Sequence, residues 1–189
     1  MKLTSIAHLE GFYYKPRIDK ITLKKYSKDI ICLSGCAQGP LAKPILENDL
    51  AAAKKEIQWF QKLFGPDYYL EIQPHDNIPE QVIINKALTK FSRQLGIPLV
   101  ATNDVHYLNE DDAEAHDALL CIGMKKTIDD PKRLSMIKTP NFYLKSEKEM
   151  RAAFPDHPDA IDNTQKIADQ CQVKIKTGQW ILPKYPLPG

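Results

Sequence analysis

The sequence contains no apolar run that approaches the roughly 20 residues needed to cross a bilayer, and its first residues lack the apolar core of a secretory signal. A membrane protein is therefore not expected, and the cytoplasm is the expected location. A strong charge of one sign is missing too, because 26 Lys and Arg residues are balanced by 24 Asp and Glu residues. A net charge of +2 excludes a protein that grips nucleic acid mainly through a broad basic surface, so any such contact should be local.

Cysteine is scarce and irregularly spaced. The four cysteines are Cys32, Cys36, Cys121 and Cys171, and no two of them form a CxxC pair. A chain of 189 residues with 43% hydrophobic and 26% charged residues can build an ordinary core, which excludes wholesale disorder. We therefore expect buried or metal-liganding thiols rather than a disulfide framework, in one domain or most of a larger one.

Two segments have the apolar spacing of amphipathic helices. From 50 to 64 the apolar residues are three or four positions apart, and Gly65 with Pro66 ends the pattern. A second helix is predicted from Pro79 to Leu95, with Gly96 as its C-terminal cap. The buried face of this second helix is expected to consist of Ile83, Ala87, Phe91 and Leu95.

Three short segments, 29–35, 68–73 and 98–104, alternate with these helices and are predicted to be strands. Strands separated by long helices form βαβ units, so the sequence predicts an α/β fold with a parallel sheet or barrel. Functional sites in such folds lie at the carboxyl ends of the strands. The side chains to inspect there are Cys36, His75, Asp104 and His106.

The second half of the chain is predicted to be mainly helical. A capping box formed by Ser146 and Glu149 predicts one short helix. Further helices are expected over 109–122 and 158–171. The polar stretch 125–135 is predicted to be a loop in which Lys132 and Arg133 are ordinary surface charges. The chain is accordingly divided into three parts: an α/β part, 1–108; a helical remainder, 109–178; and a Pro-rich linker, 179–189.

One carboxylate and one imidazole stand close together where the third predicted strand ends. Asp104 and His106 are two positions apart, so strand alternation would point both to one side. With the thiol of Cys36 they offer ligands that suit zinc or a related transition metal, and such a site can activate water for attack on a phosphodiester. The alternative stays open that Asp104 caps a loop, His106 is an ordinary polar side chain and Cys36 is a small buried hydrophobe.

Several sequence blocks resemble one protein family and occur in the family's order. They are EGFYYKPRID (10–19), LSGC (33–36), LEIQPH (70–75), GIPLVATNDVHYLNEDDAEAHDALLCI (96–122), DDPKR (129–133), FYLKSEKEM (142–150) and LPKYP (182–186). Over essentially the whole chain they resemble the polymerase and histidinol phosphatase (PHP) domain of bacterial DNA polymerase III alpha subunits, the C-family replicative polymerases. The resemblance covers the later part of that domain and the start of the linker to the polymerase core.

This resemblance implies a partial PHP-type distorted βα barrel followed by a mostly helical extension. In the family a histidine-rich set of residues holds a metal cluster, and Cys36, Asp104 and His106 occupy the positions of its last members. The implied metal is Zn²⁺ or Mn²⁺, with Mg²⁺ implied for the polymerase core of the parent. The His-x-His motif that opens the family's metal site does not occur in this sequence. No complete catalytic site is therefore expected in this chain, and activity of the chain alone is not expected.

Other polar residues carry secondary hypotheses. Glu71 and His75 flank the end of the second predicted strand and are candidates either to support the metal ligands or to serve a purely structural role. Lys15 and Arg17 lie beside two tyrosines, and such a combination of cations and aromatic rings is typical of contacts to phosphate groups or single-stranded nucleic acid. A solvated face on which these residues merely pack the tyrosines is equally compatible with the sequence. For His116 a packing or capping role is favoured over the alternative, a metal contact.

Three functions are compatible with these features. The first, implied by the resemblance, is a part of a DNA-directed DNA polymerase of chromosomal replication, whose PHP region contributes to a metal-dependent 3′→5′ exonuclease or phosphoesterase site. The second is a metal-free scaffold that docks the polymerase core and a proofreading partner. The third is a free-standing PHP phosphatase, which the Pro-rich end of the chain disfavours. The implied partners are DNA, bound through the parent polymerase, the rest of the alpha subunit, and proofreading and clamp subunits.

Overall fold

The computed structural model describes residues 1–180 together with 182 and 183, so most of the predicted linker 179–189 lies outside the described residues. The elements follow in the order α1 (Lys2–Leu9), α2 (Lys20–Lys25), β1 (Cys32–Leu33), α3 (Ala42–Leu46), α4 (Leu50–Phe64), β2 (Tyr68–Ile72), α5 (Pro79–Leu95), β3 (Leu99–Ala101), α6 (Ala113–Met124), α7 (Glu147–Ala153) and α8 (Pro158–Gln170). Short 3₁₀ turns cover Gly65–Asp67 and Glu110–Asp112. Within the described part of the chain, no helix has the length and apolar character that a membrane crossing requires.

The strands form a parallel sheet in the order β1-β2-β3, which confirms the predicted α/β fold. Cys32 of β1 lies opposite Tyr68 of β2, and Leu70 of β2 lies opposite Leu99 of β3. Helices α3 and α4 cross from β1 to β2, and α5 crosses from β2 to β3, as parallel pairing requires. All three strands therefore end at one edge of the sheet, where the predicted site residues follow.

Strand β1 is shorter than predicted. It covers Cys32–Leu33 rather than 29–35. The backbone is left-handed at Asp29, with φ 61°, and at Gly35, with φ 84°. Because extended strands need a negative φ, these two residues limit the strand on both sides.

Strand β3 also ends earlier than predicted, at Ala101 rather than at 104. Asp104 has a left-handed backbone with φ 47°, so the segment after the strand turns instead of continuing the sheet. The argument from strand alternation therefore does not apply to Asp104 and His106. Their relation must come from the turn.

Helix α4 begins and ends where predicted, because both ends are encoded locally. Asp49 Oδ1 accepts a hydrogen bond from the backbone N–H of Ala52 at 2.9 Å and caps the first turn. Gly65 ends the helix with φ 57°, a conformation that residues with a Cβ rarely adopt. Ala53 and Ile57, on the predicted apolar face, are completely buried in the core.

Helix α5 also has its predicted bounds, and Gly96 caps its end with φ 64°. The predicted buried face is confirmed only in part, because Phe91 is buried and Ala87 and Leu95 are partly buried against the core, whereas Ile83 is not. Ile83 is 51% exposed, whereas its neighbour Ile84 is 2% exposed. The buried residues of the helix are Gln81, Ile84, Leu88 and Phe91. The sequence offers apolar residues on two adjoining stripes, and packing against α3 and β2 selects between them.

Helix α8 belongs to the same core as the strands. Asn163 Nδ2 donates a hydrogen bond to the backbone carbonyl of Leu99 in β3 at 2.7 Å. Ala160 and Ile161 of α8 are buried in the cluster that also contains Leu99. The helical remainder therefore packs directly on the sheet, and the division of the chain at residue 108 stays a prediction.

The predicted capping box of α7 is present. Ser146 Oγ accepts from the backbone N–H of Glu149 at 3.3 Å, and Glu149 Oε2 accepts from the backbone N–H of Ser146 at 2.8 Å. Two of the N–H groups that a helix start leaves unpaired are thereby satisfied, which explains why the start of α7 is readable from the sequence.

A buried ion pair holds the loop 125–135, so the prediction that Arg133 is an ordinary surface charge is wrong. Arg133 Nη2 lies 2.7 Å from Asp117 Oδ2, and the two side chains are only 10% and 9% exposed. Ser135 Oγ donates another hydrogen bond to the Asp117 carboxylate at 2.7 Å. Hydrogen bonds from Arg133, and then from Ser135, lower the pKa of Asp117 to about 2. The loop is therefore tied to helix α6.

Ile84→Ala should destabilise the chain far more than Ile83→Ala, although the two substitutions are chemically identical. Removal of the buried Ile84 side chain loses its transfer free energy and leaves a cavity, which costs about 2–5 kcal/mol of unfolding free energy. Loss of the exposed Ile83 side chain should cost less than about 0.5 kcal/mol. Urea denaturation followed by circular dichroism measures both values, and equal losses would contradict the buried face described above.

Candidate functional site

The carboxylate of Glu71 joins the carboxyl ends of the three strands. It accepts a hydrogen bond from the backbone N–H of Gly35, beyond β1, at 3.1 Å, and one from Thr102 Oγ1, beyond β3, at 2.5 Å. Gln73 Nε2, at the end of β2, donates to the same carboxylate at 3.3 Å. The backbone N–H of Glu71 in turn donates to Ser34 Oγ at 2.9 Å. Glu71 therefore holds together the segments that follow the three strands, and these segments carry the predicted site residues.

Cys36 lies in a tight turn immediately after β1. Gly35 adopts a φ of 84°, and a Cβ on Gly39 would come within 2.9 Å of the carbonyl oxygen of Cys36, so the turn needs glycine at both positions. The half-buried thiol accepts a weak hydrogen bond from the backbone N–H two residues further on, at 3.5 Å. The turn thus holds the thiol at the carboxyl edge of the sheet.

The structure brings Asp104 and His106 together. Asp104 Oδ1 lies 3.7 Å from His106 Nε2, and both side chains are 37% exposed. The left-handed backbone of Asp104 and a hydrogen bond of 2.8 Å from the backbone N–H of His106 to the carbonyl of Phe142 produce this arrangement. Two donors that bind one zinc ion at about 2.0–2.1 Å in a tetrahedron lie about 3.4 Å apart, so the pair is close to the spacing of metal ligands.

The segment 141–143, between helices α6 and α7, lies against this edge of the sheet. Asn103 Nδ2 donates to the backbone carbonyls of Tyr143 at 2.5 Å and Asn141 at 3.2 Å. Asn141 Nδ2 donates to the carbonyl of Pro74 at 3.1 Å. The segment therefore connects the residues after β2 with those after β3, and it inserts the buried ring of Phe142 beside them.

His75 is buried without hydrogen-bond partners. It is 2% exposed, and neither ring nitrogen has a partner within the described residues. Its ring packs on Phe142 with the centroids 4.3 Å apart, and His106 packs edge-on against the same Phe142 ring at 5.5 Å. Burial lowers the pKa of His75 against the opposing influence of Asp104, so the neutral imidazole is favoured. An unpaired buried polar group of this kind points to a bound water, ion or ligand.

His116, for which the sequence favours packing or capping over a metal contact, lies beside the Asp104–His106 pair. Its ring centroid is 5.3 Å from that of His106 and 5.3 Å from that of Tyr107. Its Nδ1 is buried and has no partner in the part of the chain that the structure describes. Burial, and then the nearby His106, lower the pKa of His116. No spacing rule identifies this residue, because it reaches the site from helix α6.

The structure brings only two of the three candidate metal ligands close together among the described residues. Within residues 1–180, 182 and 183, no group of three or more His, Cys, Asp or Glu side chains is arranged to hold a metal ion. The structure thus brings together Asp104 and His106 but does not gather Cys36 into one group with them. The nitrogen and oxygen donors of the pair fit zinc or manganese, and the unpartnered nitrogens of His75 belong to a ring that packs on the same Phe142 as His106. The three-ligand set stays a prediction.

Lys15 and Arg17 lie in the loop between α1 and α2, and both are exposed. Arg17 Cζ is 5.4 Å from the ring centroid of Tyr13. The predicted combination of cation and aromatic ring is therefore present in space. Its role in nucleic-acid contact stays a prediction.

The sequence of this chain is similar to those of several known proteins. The model of the PHP domain family matches residues 1–75, a range that includes Cys36 and His75 and stops before Asp104. The chain is 50% identical over 189 residues to the DNA polymerase III subunit alpha of Borreliella burgdorferi. It is 42% identical over 189 residues to that of Treponema pallidum and 40% identical over 194 residues to that of Thermus aquaticus. Each alignment covers 100% of this chain, which spans 16% of the length of these curated relatives.

Glu71→Gln should loosen the strand ends although it preserves the size of the side chain. An amide has one acceptor oxygen in place of two, so Gly35 N–H or the Thr102 hydroxyl loses its partner, at about 1–3 kcal/mol of unfolding free energy. The matched control is Glu47→Gln, at a carboxylate that is 62% exposed and lies 3.9 Å from Lys43. It should change stability by less than about 0.5 kcal/mol. Urea denaturation gives both values, and equal stability of the two variants would show that the strand ends do not depend on Glu71.

Proposed function

Since this chain belongs to the DNA polymerase III alpha subunit family and carries PHP-domain sequence in residues 1–75, we propose that it forms part of a metal-dependent phosphoesterase site in a DNA-directed DNA polymerase. The proposed reaction is hydrolysis of phosphodiester bonds, with removal of nucleotides in the 3′→5′ direction. The chain contributes Cys36, Asp104 and His106, and other parts of the polymerase supply the remaining ligands. For the whole protein we further propose Mg²⁺ at the polymerising site, DNA as substrate, and proofreading and clamp subunits as partners.

The observation that carries this proposal is the Asp104–His106 pair. The carboxylate and the imidazole are 3.7 Å apart and partly open to solvent, as ligands that must admit a metal ion and a substrate need to be. A left-handed backbone at a residue such as Asp104 costs of order 1 kcal/mol and persists where the surrounding structure enforces it, often at functional sites. Here the neighbouring Asn103 enforces it through its two hydrogen bonds to the segment that carries Phe142.

The residues of this chain would hold and orient the reacting centre. A zinc or manganese ion held by these residues would activate water for attack on phosphorus. Asp104 offers a carboxylate oxygen, and His106 offers Nε2 with its ring fixed by edge-on packing against Phe142 and His116. The buried ring of His75 packs on the same Phe142 ring that contacts His106.

A metal-free scaffold is the second candidate, and a different observation favours it. On helix α6, Leu119 and Ile122 are 63% and 75% exposed. They lie three positions apart and therefore share one side of the helix. Exposed apolar side chains that share a helix side are suited to docking another domain or subunit. The two functions predict different responses to loss of the metal ligands.

His106→Ala distinguishes the two functions in the full-length polymerase purified without chelator. If the metal site is present, the variant should lose bound zinc or manganese, and its 3′→5′ exonuclease activity should fall by at least about 100-fold. Elemental analysis and release of nucleotides from a single-stranded oligonucleotide measure the two effects. Polymerase activity on a primer–template should persist, which reports that the variant is folded.

The matched control for this experiment is His8→Ala, at an exposed histidine on helix α1. It should leave both the metal content and the exonuclease activity unchanged. If the wild-type polymerase binds no metal at this site, and His106→Ala leaves exonuclease activity intact, the metal site is rejected and the scaffold is favoured.

A further inference from the structure

Positive charge is concentrated at the start of the chain. The first 28 residues contain seven Lys and Arg residues against two Asp and Glu residues, a net charge of +5, whereas the whole chain has a net charge of +2. The rest of the chain is therefore negative overall. An anionic partner is attracted to this first part of the molecule, which comprises α1, α2 and the loop between them.

That loop exposes three consecutive aromatic side chains. We call Phe12–Arg17 the tyrosine loop. Phe12, Tyr13 and Tyr14 are 61%, 65% and 82% exposed. A single exposed ring is common on protein surfaces, but contiguous exposed rings are a feature of binding surfaces.

The tyrosine loop is fixed by its own backbone. The N–H of Tyr13 donates to the carbonyl of Lys15 at 3.1 Å, and the N–H of Arg17 donates to the carbonyl of Gly11 at 3.2 Å. A Cβ on Gly11 would collide with the carbonyl oxygen of Arg17, so the two ends of the loop meet backbone to backbone. Tyr14 is held at φ 58°, a conformation uncommon for bulky residues. The rings are therefore presented by a preorganised turn, which reduces the entropy that binding must overcome.

Two cationic side chains, Lys15 and Arg17, lie beside the rings. Arg17 Cζ lies 5.4 Å from the Tyr13 ring centroid, and the rings of Tyr13 and Tyr14 meet edge-on with centroids 4.6 Å apart. Lys15 is exposed next to them. Among the described residues, no ion pair involves Lys15 or Arg17. Both positive charges are available to a ligand.

Exposed aromatic rings next to two cations favour one class of partner. A packing role within this chain would need buried rings, and a merely solvated face would carry polar side chains in their place. An apolar protein surface would match the rings but leave the two cations unused. Unpaired bases of single-stranded DNA can stack on the rings while the adjoining phosphates meet the cations. Duplex DNA fits less well, because its bases are already stacked inside the helix.

We propose that the tyrosine loop binds single-stranded DNA, with bases stacked on Tyr13 and Tyr14 and phosphates held by Lys15 and Arg17. The site takes any sequence, since every base has a π face. This inference rests on the proposed function only for the choice of DNA as the anion. It requires neither a metal ion nor the residues at the strand ends.

Photocrosslinking in the full-length polymerase tests the interaction directly. A single-stranded oligonucleotide that carries 5-iodouracil crosslinks to an aromatic side chain on which the modified base stacks, and mass spectrometry identifies the residue. Crosslinks at Tyr13 or Tyr14 are the expected result. Crosslinks confined to other parts of the polymerase would overturn the proposal.

Paired substitutions test the stacking. Tyr13→Ala combined with Tyr14→Ala should weaken binding of a labelled oligodeoxythymidylate at least about fivefold, measured by fluorescence anisotropy with primer–template present to occupy the polymerising site. Phenylalanine at both positions should retain the affinity, because the rings remain. The control Trp180→Ala removes another aromatic side chain, 95% exposed and outside the loop, and should have no effect. Equal affinity of the double alanine variant and the wild type would refute the stacking role.

A second pair of substitutions tests the charges. Lys15→Gln combined with Arg17→Gln should reduce the slope of log affinity against log salt concentration by about 0.7 for each phosphate that the loop no longer neutralises. The control changes Lys54 and Lys55, two exposed lysines of α4, to Gln and removes the same charge. The slope of the control should equal that of the wild type. If both pairs change the slope equally, the effect belongs to net charge and the loop is not a phosphate site.

His106→Ala separates this inference from the proposed metal site. The variant should keep the crosslinks at the tyrosine loop even where it loses metal and exonuclease activity. Crosslinks at Tyr13 or Tyr14 in a polymerase without a metal-dependent exonuclease would reject the metal site and retain this inference. An active metal-dependent exonuclease without these crosslinks would retain the metal site and reject this inference.

Discussion

The hydrogen bonds of the Glu71 carboxylate are the constraint on which the carboxyl edge of the sheet depends. The carboxylate of Glu71, on the central strand, accepts hydrogen bonds from the backbone N–H of Gly35 beyond β1 and from the hydroxyl of Thr102 beyond β3. Strands of two to five residues provide few ladder hydrogen bonds, so this edge needs an added connection. Cys36 follows Gly35 directly, and Asp104 follows Thr102 after one residue. The positions of the candidate ligands are therefore set by the same carboxylate.

The second requirement of the site is a segment far away in the sequence. Asn103 binds this segment through two backbone carbonyls, and the ring of Phe142 then packs between His75 and His106. The result is a half-exposed pair of candidate ligands, Asp104 with His106, and a buried imidazole, His75, that has no hydrogen-bond partner among the described residues. A structure that served packing alone would gain by replacing His75 with an apolar residue, since its unpaired nitrogens are costly to bury. The PHP family model matches residues 1–75, which include His75 but neither Asp104 nor His106.

How far the sequence predicts these features depends on whether they are encoded locally. The bounds of α4 and α5 are predictable because caps such as Asp49 and Gly96 are adjacent to the helices they limit. Helices α1, α2 and α3 are short, and a short apolar pattern does not distinguish a helix from a loop. The choice between Ile83 and Ile84 as the buried residue depends on packing with other elements. The family resemblance identifies Asp104 as a candidate ligand, but strand alternation gives the wrong reason for its position near His106, which only the turn explains.

The central claim is that residues after different strands belong to one metal site in the polymerase. The most direct measurement is the absorption spectrum of the full-length protein with cobalt(II) in place of the native ion, because a thiolate bound to cobalt gives a charge-transfer band in the near ultraviolet. Cys36→Ser should abolish this band, and Cys171→Ser, at an exposed cysteine, should retain it. An unchanged band in Cys36→Ser, or its absence in a wild-type protein that has bound cobalt, would contradict a shared site.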